Sequence, residues 1–277
     1  VTVPEFLRYD FMQNAFLATT IIAVMGSLVG YFVVLRRQAF GSHALSNIGF
    51  AGAAGASLIG AEPMVGLLVF VLGAALLMAW SGRNVGERDV SVGMILMFSL
   101  GLGALFINLY SANANAAIGI LFGSVFGIDA SQIRWITITS LVVLAGLVAI
   151  FRPLRFASLN PDAARARGIP VSLIDTLFLL LLGAASAIAV PVIGALLSFA
   201  IFIGPASAAQ AWSGRIGVGL ALTVLLSLVE SLGGLIISYY ANLPASSCIA
   251  ALSFGLYALS RMTRYASPGF FLPRLRG

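Results

Sequence analysis

The feature that most constrains this chain is a series of apolar runs, each close to the ~20 residues that cross a bilayer core. They cover roughly 11–35, 43–60, 63–81, 91–110, 133–151, 173–190, 192–212, 216–240 and 245–260. Hydrophobic residues make up 60% of the chain and charged residues 9%. A soluble domain carries about 25% charged residues, so a water-soluble fold is excluded. Mean hydropathy is +1.06. A transmembrane barrel needs alternating segments of ~10 residues, and the sequence has none. The expected fold is therefore all-α: one polytopic membrane domain over residues 1–277, with about nine transmembrane helices. The first apolar run is long enough to be a span, so a cleavable signal peptide is not expected.

The connectors carry turn chemistry. Glu62-Pro63, Pro191 and Asn242-Leu243-Pro244 each mark a turn between spans, and 84–90 (NVGERDV) reads as a polar loop. The apolar part of 111–132 is too short to cross, which predicts a surface or re-entrant helix. All fifteen basic residues are arginine. With 152–172 placed in the cytoplasm and the spans alternating, thirteen arginines fall inside; Arg8 and Arg134 alone fall outside. That asymmetry predicts an outside N-terminus and a cytoplasmic C-terminus. No basic run interleaves with aromatics, so nucleic acid is not an expected partner. A single cysteine, Cys248, excludes an intrachain disulfide and a CxxC metal site. Without lysine there is no G-x-x-x-x-G-K-[ST] loop, so ATP hydrolysis by that motif is excluded here.

Three places carry candidate chemistry. Residues 33–55 join two spans through Arg36-Arg37 and the chain's one histidine, His43. His43 and Asn47 share a helix face at i and i+4. Behind them run Gly49-x3-Ala53, Ala51-x3-Gly55 and Gly52-x3-Ala56, a spacing that lets helices approach closely. The pair reads either as part of a polar path or as hydrogen-bonding residues in a buried helix. In the 152–172 stretch, Asn160 suits an N-cap, Pro161 the first helical position and Asp162 the positive first turn. Arg165 and Arg167 lie in a helix-forming segment that Gly168 can end. A helix of about two turns at 160–168 is expected, either a docking element or a plain connector. Glu230 lies mid-span, where an ionisable group faces a pathway, is paired, or is neutral and bonded to a neighbouring helix.

Residues 31–56 (YFVVLRRQAFGSHALSNIGFAGAAGA) resemble the membrane permeases of zinc, manganese and iron ABC importers. In that family a V-L-R-R start leads to Asp-x-(Leu/Ile)-Ser-His and a Gly/Ala-rich helix. LFGSVFGID (121–129), LNPDAARARGIPV (159–171), VIGALLSFAIFIGPASAAQ (192–210) and SYYANLPASSCIAAL (238–252) match further family segments in order. The resemblance implies a fold related to that of cobalamin and siderophore permeases. It also implies a second copy of the chain, a cytoplasmic ATP-binding subunit and an extracytoplasmic metal-binding protein as partners. The setting is the bacterial inner membrane. Zinc or manganese, and after them iron, is the implied substrate, with no permanently bound cofactor, and transport is alternating access driven by the partner's ATP hydrolysis. By the same resemblance 159–171 is the ATPase-coupling segment; Asp175, near the inner end of the following span, is by its position expected to tune the coupling region. The chain departs from the family at the central motif, with His43-x3-Asn47 where Asp-x3-His is common. The alternative is a permease for cobalamin, haem or an iron-siderophore, which predicts a wide apolar cavity and no dependence on His43. From other classes, a passive channel predicts no ATPase association, and an intramembrane enzyme lacks a visible nucleophile–base pair.

Overall fold

A computed structural model describes residues 9–81, 85–109 and 123–266. The lead residues 1–8, Arg83, most of the 111–132 segment and the tail with Arg274 and Arg276 lie outside the described residues. Ten α-helices follow in order. They are α1 (Asp10–Leu35), α2 (Ala39–Leu58), α3 (Pro63–Trp80), α4 (Val85–Leu109), α5 (Ala130–Leu159), α6 (Pro161–Ala166), α7 (Val171–Ile193), α8 (Ala195–Trp212), α9 (Ile216–Ala241) and α10 (Ala245–Ala266). Among the described residues nine helices are long, and α6 has six residues. By length and composition, α1, α3, α4, α5, α7 and α9 can each cross a membrane. The other three have identifiable reasons for lower hydropathy. α2 is rich in Gly, Ala and Ser, α8 has a shorter apolar stretch at Leu197–Trp212, and α10 carries Arg261 and Arg264.

α1 and α7 form the centre. α1 packs on α9, α8, α5 and α7, while α7 packs on α3, α5, α2 and α8. Phe32, Phe178, Leu182, Ile188 and Phe202 are fully buried there. α3, α4 and α5 turn large apolar side chains outward, including Val69, Leu77, Met97, Phe98, Leu141 and Val148. Lipid solvates such a surface and water does not, which is why a polytopic chain can be apolar on both sides.

Small residues set how closely the helices approach. A Cβ on Gly52 of α2 would overlap the Gly66 carbonyl oxygen of α3, and one on Gly66 would overlap Ala56. The small-residue stripe of α2 is therefore spent on α3. A second contact joins α1 to α8, where Gly26 meets the Phe202 ring and Gly30 the Phe202 backbone.

Several boundaries differ from the sequence expectation. α4 begins at Val85, inside the expected loop, because Glu87 and Arg88 are good helix formers. α5 continues through Pro153 to Leu159, and Ser158 near its end accepts a hydrogen bond from Arg36 in the corner after α1. α7 runs past Pro191 to Ile193, and the break falls on Gly194 at φ 90°. Gly123, at φ 73°, packs there. A Cβ on it would come within 2.5 Å of the Ile193 carbonyl carbon. Ser124 N–H donates to the Pro191 carbonyl at 3.1 Å. Residues 123–129 thus run against α7 and α1, with one 3₁₀ turn at Val125–Gly127. The turns at 59–63 and 242–244 lie where the sequence signals them. Gly60 (φ 71°) and Asn242 (φ 58°) adopt left-handed conformations.

Candidate functional site

The corner between α1 and α2 is three residues long. Arg37 takes φ 56°, and Gln38 N–H donates to the Val33 carbonyl at 2.9 Å, closing the end of α1. A non-glycine residue in that conformation costs about 1–2 kcal/mol, so the surrounding contacts hold the corner in place. α2 then starts at Ala39 and places His43 and Asn47 one turn apart. His43 is half-buried and Asn47 is buried. Asn47 Nδ2 donates to the His43 carbonyl at 2.9 Å and sits 3.4 Å from His43 Nε2. These contacts hold the amide against its own helix and leave Oδ1 without a hydrogen-bond partner among the described residues. The His43 ring meets Phe199 of α8 edge-on, centroid to centroid 5.5 Å. Phe199 was not singled out in the sequence, since a phenylalanine in an apolar helix carries no signal of its own.

Glu230 is fully buried in α9. α9 packs chiefly on α1, α8 and α10, and α2 chiefly on α3, α4, α7 and α8. α8 therefore stands between Glu230 and the His43–Asn47 pair, and the three do not form one cluster within a single copy. Among the described residues, no three of His, Cys, Asp and Glu converge to hold a metal ion.

At one end of the bundle, α6 sits between α5 and α7. Asn160 Oδ1 accepts from Ala163 N–H at 2.9 Å, and Pro161 opens the helix. Gly168 takes φ 76°, and Ile169 N–H donates to the Ala164 carbonyl at 3.0 Å, closing it. Ala164 is fully buried against Ala157, Val171, Phe156 and Ile169, which seats α6 on its flanking helices. Asp162 and Arg165 pair at 2.8 Å on the exposed face, and Arg167 lies over the Phe156 ring at 5.1 Å. Arg36 pairs with Asp175 of α7 and donates to Ser158 Oγ of α5 at 3.1 Å. A small pocket of about 50 Å³ beside it is lined by Arg36, Arg37, Gln38 and Asp89.

At the opposite end a cavity of about 400 Å³ lies among α2, α3, α5 and α7. Glu62, Asp129, Ser57 and Gln132 line it, with Trp135 and Pro191. Asp129 caps α5 in a capping box: its Oδ1 accepts from Gln132 N–H at 2.7 Å and from Ser131 Oγ at 2.8 Å. The Gln132 backbone N–H and the Ser131 hydroxyl hold its carboxyl below the usual carboxylate range.

Known proteins share this architecture. The chain is 28% identical over 255 residues to the manganese import system permease protein ScaB of Streptococcus parasanguinis, covering 91% of this chain and 90% of that one. It is 26% identical to the manganese transport system membrane protein MntC of Halalkalibacterium halodurans, covering 92% and 88%. Among solved structures it superposes on PsaBC from Streptococcus pneumoniae in complex with Fab. The TM-score is 0.82 at 25% identity, and 92% of each chain is covered. The ABC 3 transport family, as "ABC 3 transport family", matches residues 8–264, and this chain belongs to it.

Proposed function

We propose that this chain is the membrane permease of an importer for a divalent transition-metal ion, manganese or zinc. ATP is hydrolysed on a separate cytoplasmic subunit. The observation that carries the reading is the match, over about nine-tenths of the chain, to permeases named for manganese import. The arginine asymmetry supports placing the α6 end in the cytoplasm, with the N-terminus outside and the C-terminus inside. In this reading α6 docks the ATPase subunit through Asn160, Pro161, Asp162, Arg165, Arg167 and Gly168. A metal-loaded binding protein delivers its ion at the opposite end, and a second copy of the chain completes the path. Alternating access then moves the ion past His43 and Asn47 of both copies, with Glu230 as a further polar group along the route.

The pair offers one imidazole nitrogen and one amide oxygen, with no fixed negative charge. Imidazole suits zinc, and a carbonyl-type oxygen suits manganese. Two neutral donors bind weakly, which favours release of an ion in transit. Coordination needs the neutral imidazole, so acid competes with the metal at this point. The test is uptake of radiolabelled manganese and zinc into vesicles holding the purified complex. His43→Ala should slow both, and Asn47→His should shift preference toward zinc. Wild-type rates for both metals in His43→Ala would show that the residue is structural.

A further inference from the structure

Arg36 joins three helix ends that meet beside α6. Its guanidinium pairs with Asp175 in the second turn of α7 and donates through Nη1 to Ser158 Oγ at 3.1 Å, one residue before the end of α5. The same group lies 5.4 Å from the centre of the Phe178 ring. The Arg36 side chain is only 8% exposed and that of Asp175 29%. With the guanidinium buried and the carboxylate partly so, salt screens this pair less than a surface pair. α5 and α7 are the two helices from which α6 hangs, and Ala164 is packed against both stems. On the other side of Arg36 lies the left-handed residue Arg37, then α2 with His43 just over one turn in.

Resting on the reading of α6 as the ATPase dock, we infer that Arg36 is a positioning residue for coupling: it carries a displacement of α6 to the α1–α2 corner. The physical reason is connectivity. α6 moves with the ends of α5 and α7; α1 packs on both helices along its length, and Arg36 adds a polar link between its C-terminal end and theirs. When α6 is displaced, the guanidinium carries the corner with it, and α2 turns His43 and Asn47 with the corner. Without the guanidinium, the apolar packing of Phe32 on Phe151 and Phe178 remains, but the corner loses its polar tie to α5 and α7 and follows their displacement less closely. Less ion is then moved per ATP.

The experiment uses the full complex of permease, ATPase subunit and binding protein in proteoliposomes. It reads co-purification of the ATPase, ATP hydrolysis, and manganese moved per ATP. Arg36→Gln and Asp175→Asn should each retain the ATPase and its hydrolysis, while manganese moved per ATP falls about ten-fold, the scale of ordinary coupling energies. The reversed pair, Arg36→Asp with Asp175→Arg, should regain part of the ratio. Ser158→Ala removes one arm and should give a smaller fall. A merely structural role would lower yield or stability and leave the ratio of surviving complex unchanged. An unchanged ratio in Arg36→Gln overturns the inference. If that variant does not insert, unchanged ratios in Asp175→Asn and Ser158→Ala overturn it as well. A wild-type permease that holds no ATPase subunit would overturn the underlying function, a result distinct from loss of coupling in the variants.

Discussion

Gly30→Ala is the sharpest test of how α1 and α8 set the geometry at His43. A Cβ at position 30 would overlap the Phe202 carbonyl oxygen and lie 2.7 Å from its carbonyl carbon and 2.9 Å from its Cα. These are backbone atoms, so no rotamer change relieves the contact, and the two helices must separate by about 1 Å. A gap of that size forfeits a quarter to a half of each dispersion contact along the interface. Overpacking costs about 1–3 kcal/mol, and a backbone clash belongs at the upper end. Alanine returns about 1 kcal/mol of helix propensity. The net is about 2 kcal/mol of destabilisation, or a fall in Tm of roughly 5 °C. Gly41→Ala is the control, because a Cβ there meets nothing within 4 Å and the propensity gain stands alone. The two variants should therefore shift in opposite directions when unfolding in detergent is followed by tryptophan fluorescence. Phe199 is one turn from Phe202 on α8, so Gly30→Ala should also loosen the ring contact on His43 and slow uptake. Equal or greater stability of Gly30→Ala relative to Gly41→Ala would refute the close approach of α1 and α8.

Asn160→Ala with Pro161→Gly should fray α6, because the cap alone is worth about 1 kcal/mol and a six-residue helix has little else of its own. ATPase association measured by co-purification should weaken while membrane insertion stays intact, and unchanged association would argue against docking there. Single-cysteine labelling in a Cys248→Ala background should reach position 160 only from the cytoplasmic side; labelling from outside would reverse the orientation. Asp129 has a lowered folded pKa, so its stabilisation of α5 is present above the ordinary carboxylate range and is lost as pH falls through the folded value. Acid should therefore lower the protection of Gln132 N–H, measured as its exchange rate relative to the intrinsic rate at the same pH, a pH dependence that Asp129→Ala should abolish by removing the cap at every pH.

The spans were legible because apolar length alone marks them, and the turns at Gly60–Pro63 and Asn242–Pro244 because glycine, asparagine and proline have local causes. The cap signals around α6 were legible for the same reason: Asn160, Pro161 and Gly168 act on their own neighbours. The Asp129-x-x-Gln132 capping box is an equally local signal, and it shows that α5 starts at Ala130, within the stretch read as non-crossing. Gly26-x3-Gly30 was a small-residue motif of the same kind as those noted in α2, and it proved to be the seat of Phe202. Long-range partners were not legible. Nothing in 31–38 says that Arg36 will meet Ser158 and Asp175, more than a hundred residues away. The placement of α8 between Glu230 and His43 likewise follows from packing order, which periodicity does not encode.

The polar residues inside the bundle divide into two kinds, and the division explains where Glu230 stands. Thr20, Ser46, Ser57, Thr137 and Thr223 donate to carbonyls one turn back in their own helix, which satisfies a hydroxyl in an apolar medium without a neighbour. A smaller set reaches between helices: Ser227 to the Ala23 carbonyl at 3.2 Å, Ser253 to Ala200 at 3.0 Å, and Gln210 to Tyr31 at 2.8 Å. The first of these fixes the antiparallel register of α1 and α9, and Gly219 against the Tyr31 ring repeats it two turns away. One turn in the other direction, the same register sets Thr19 level with Ser231. Gly234 against Ile249 fixes the register of α9 and α10, which sets Glu230 level with Ser253. Thr19, Ser231 and Glu230 are all fully buried; the Thr19 and Ser231 hydroxyls have no hydrogen-bond partner among the described residues, and the Glu230 carboxyl faces the Ser253 hydroxyl of α10. Two unpartnered hydroxyls on the α1 side of α9 and a buried carboxyl on its α10 side therefore lie at one level of α9. Taking a carboxyl out of water costs more than one hydroxyl contact returns, so packing alone gives no reason to keep a carboxyl at this level. Gln at 230 keeps the size of the side chain and removes the acid, whereas Leu removes both polar atoms. Their contrast in uptake and in folding separates a transport role for the carboxyl from a role in packing.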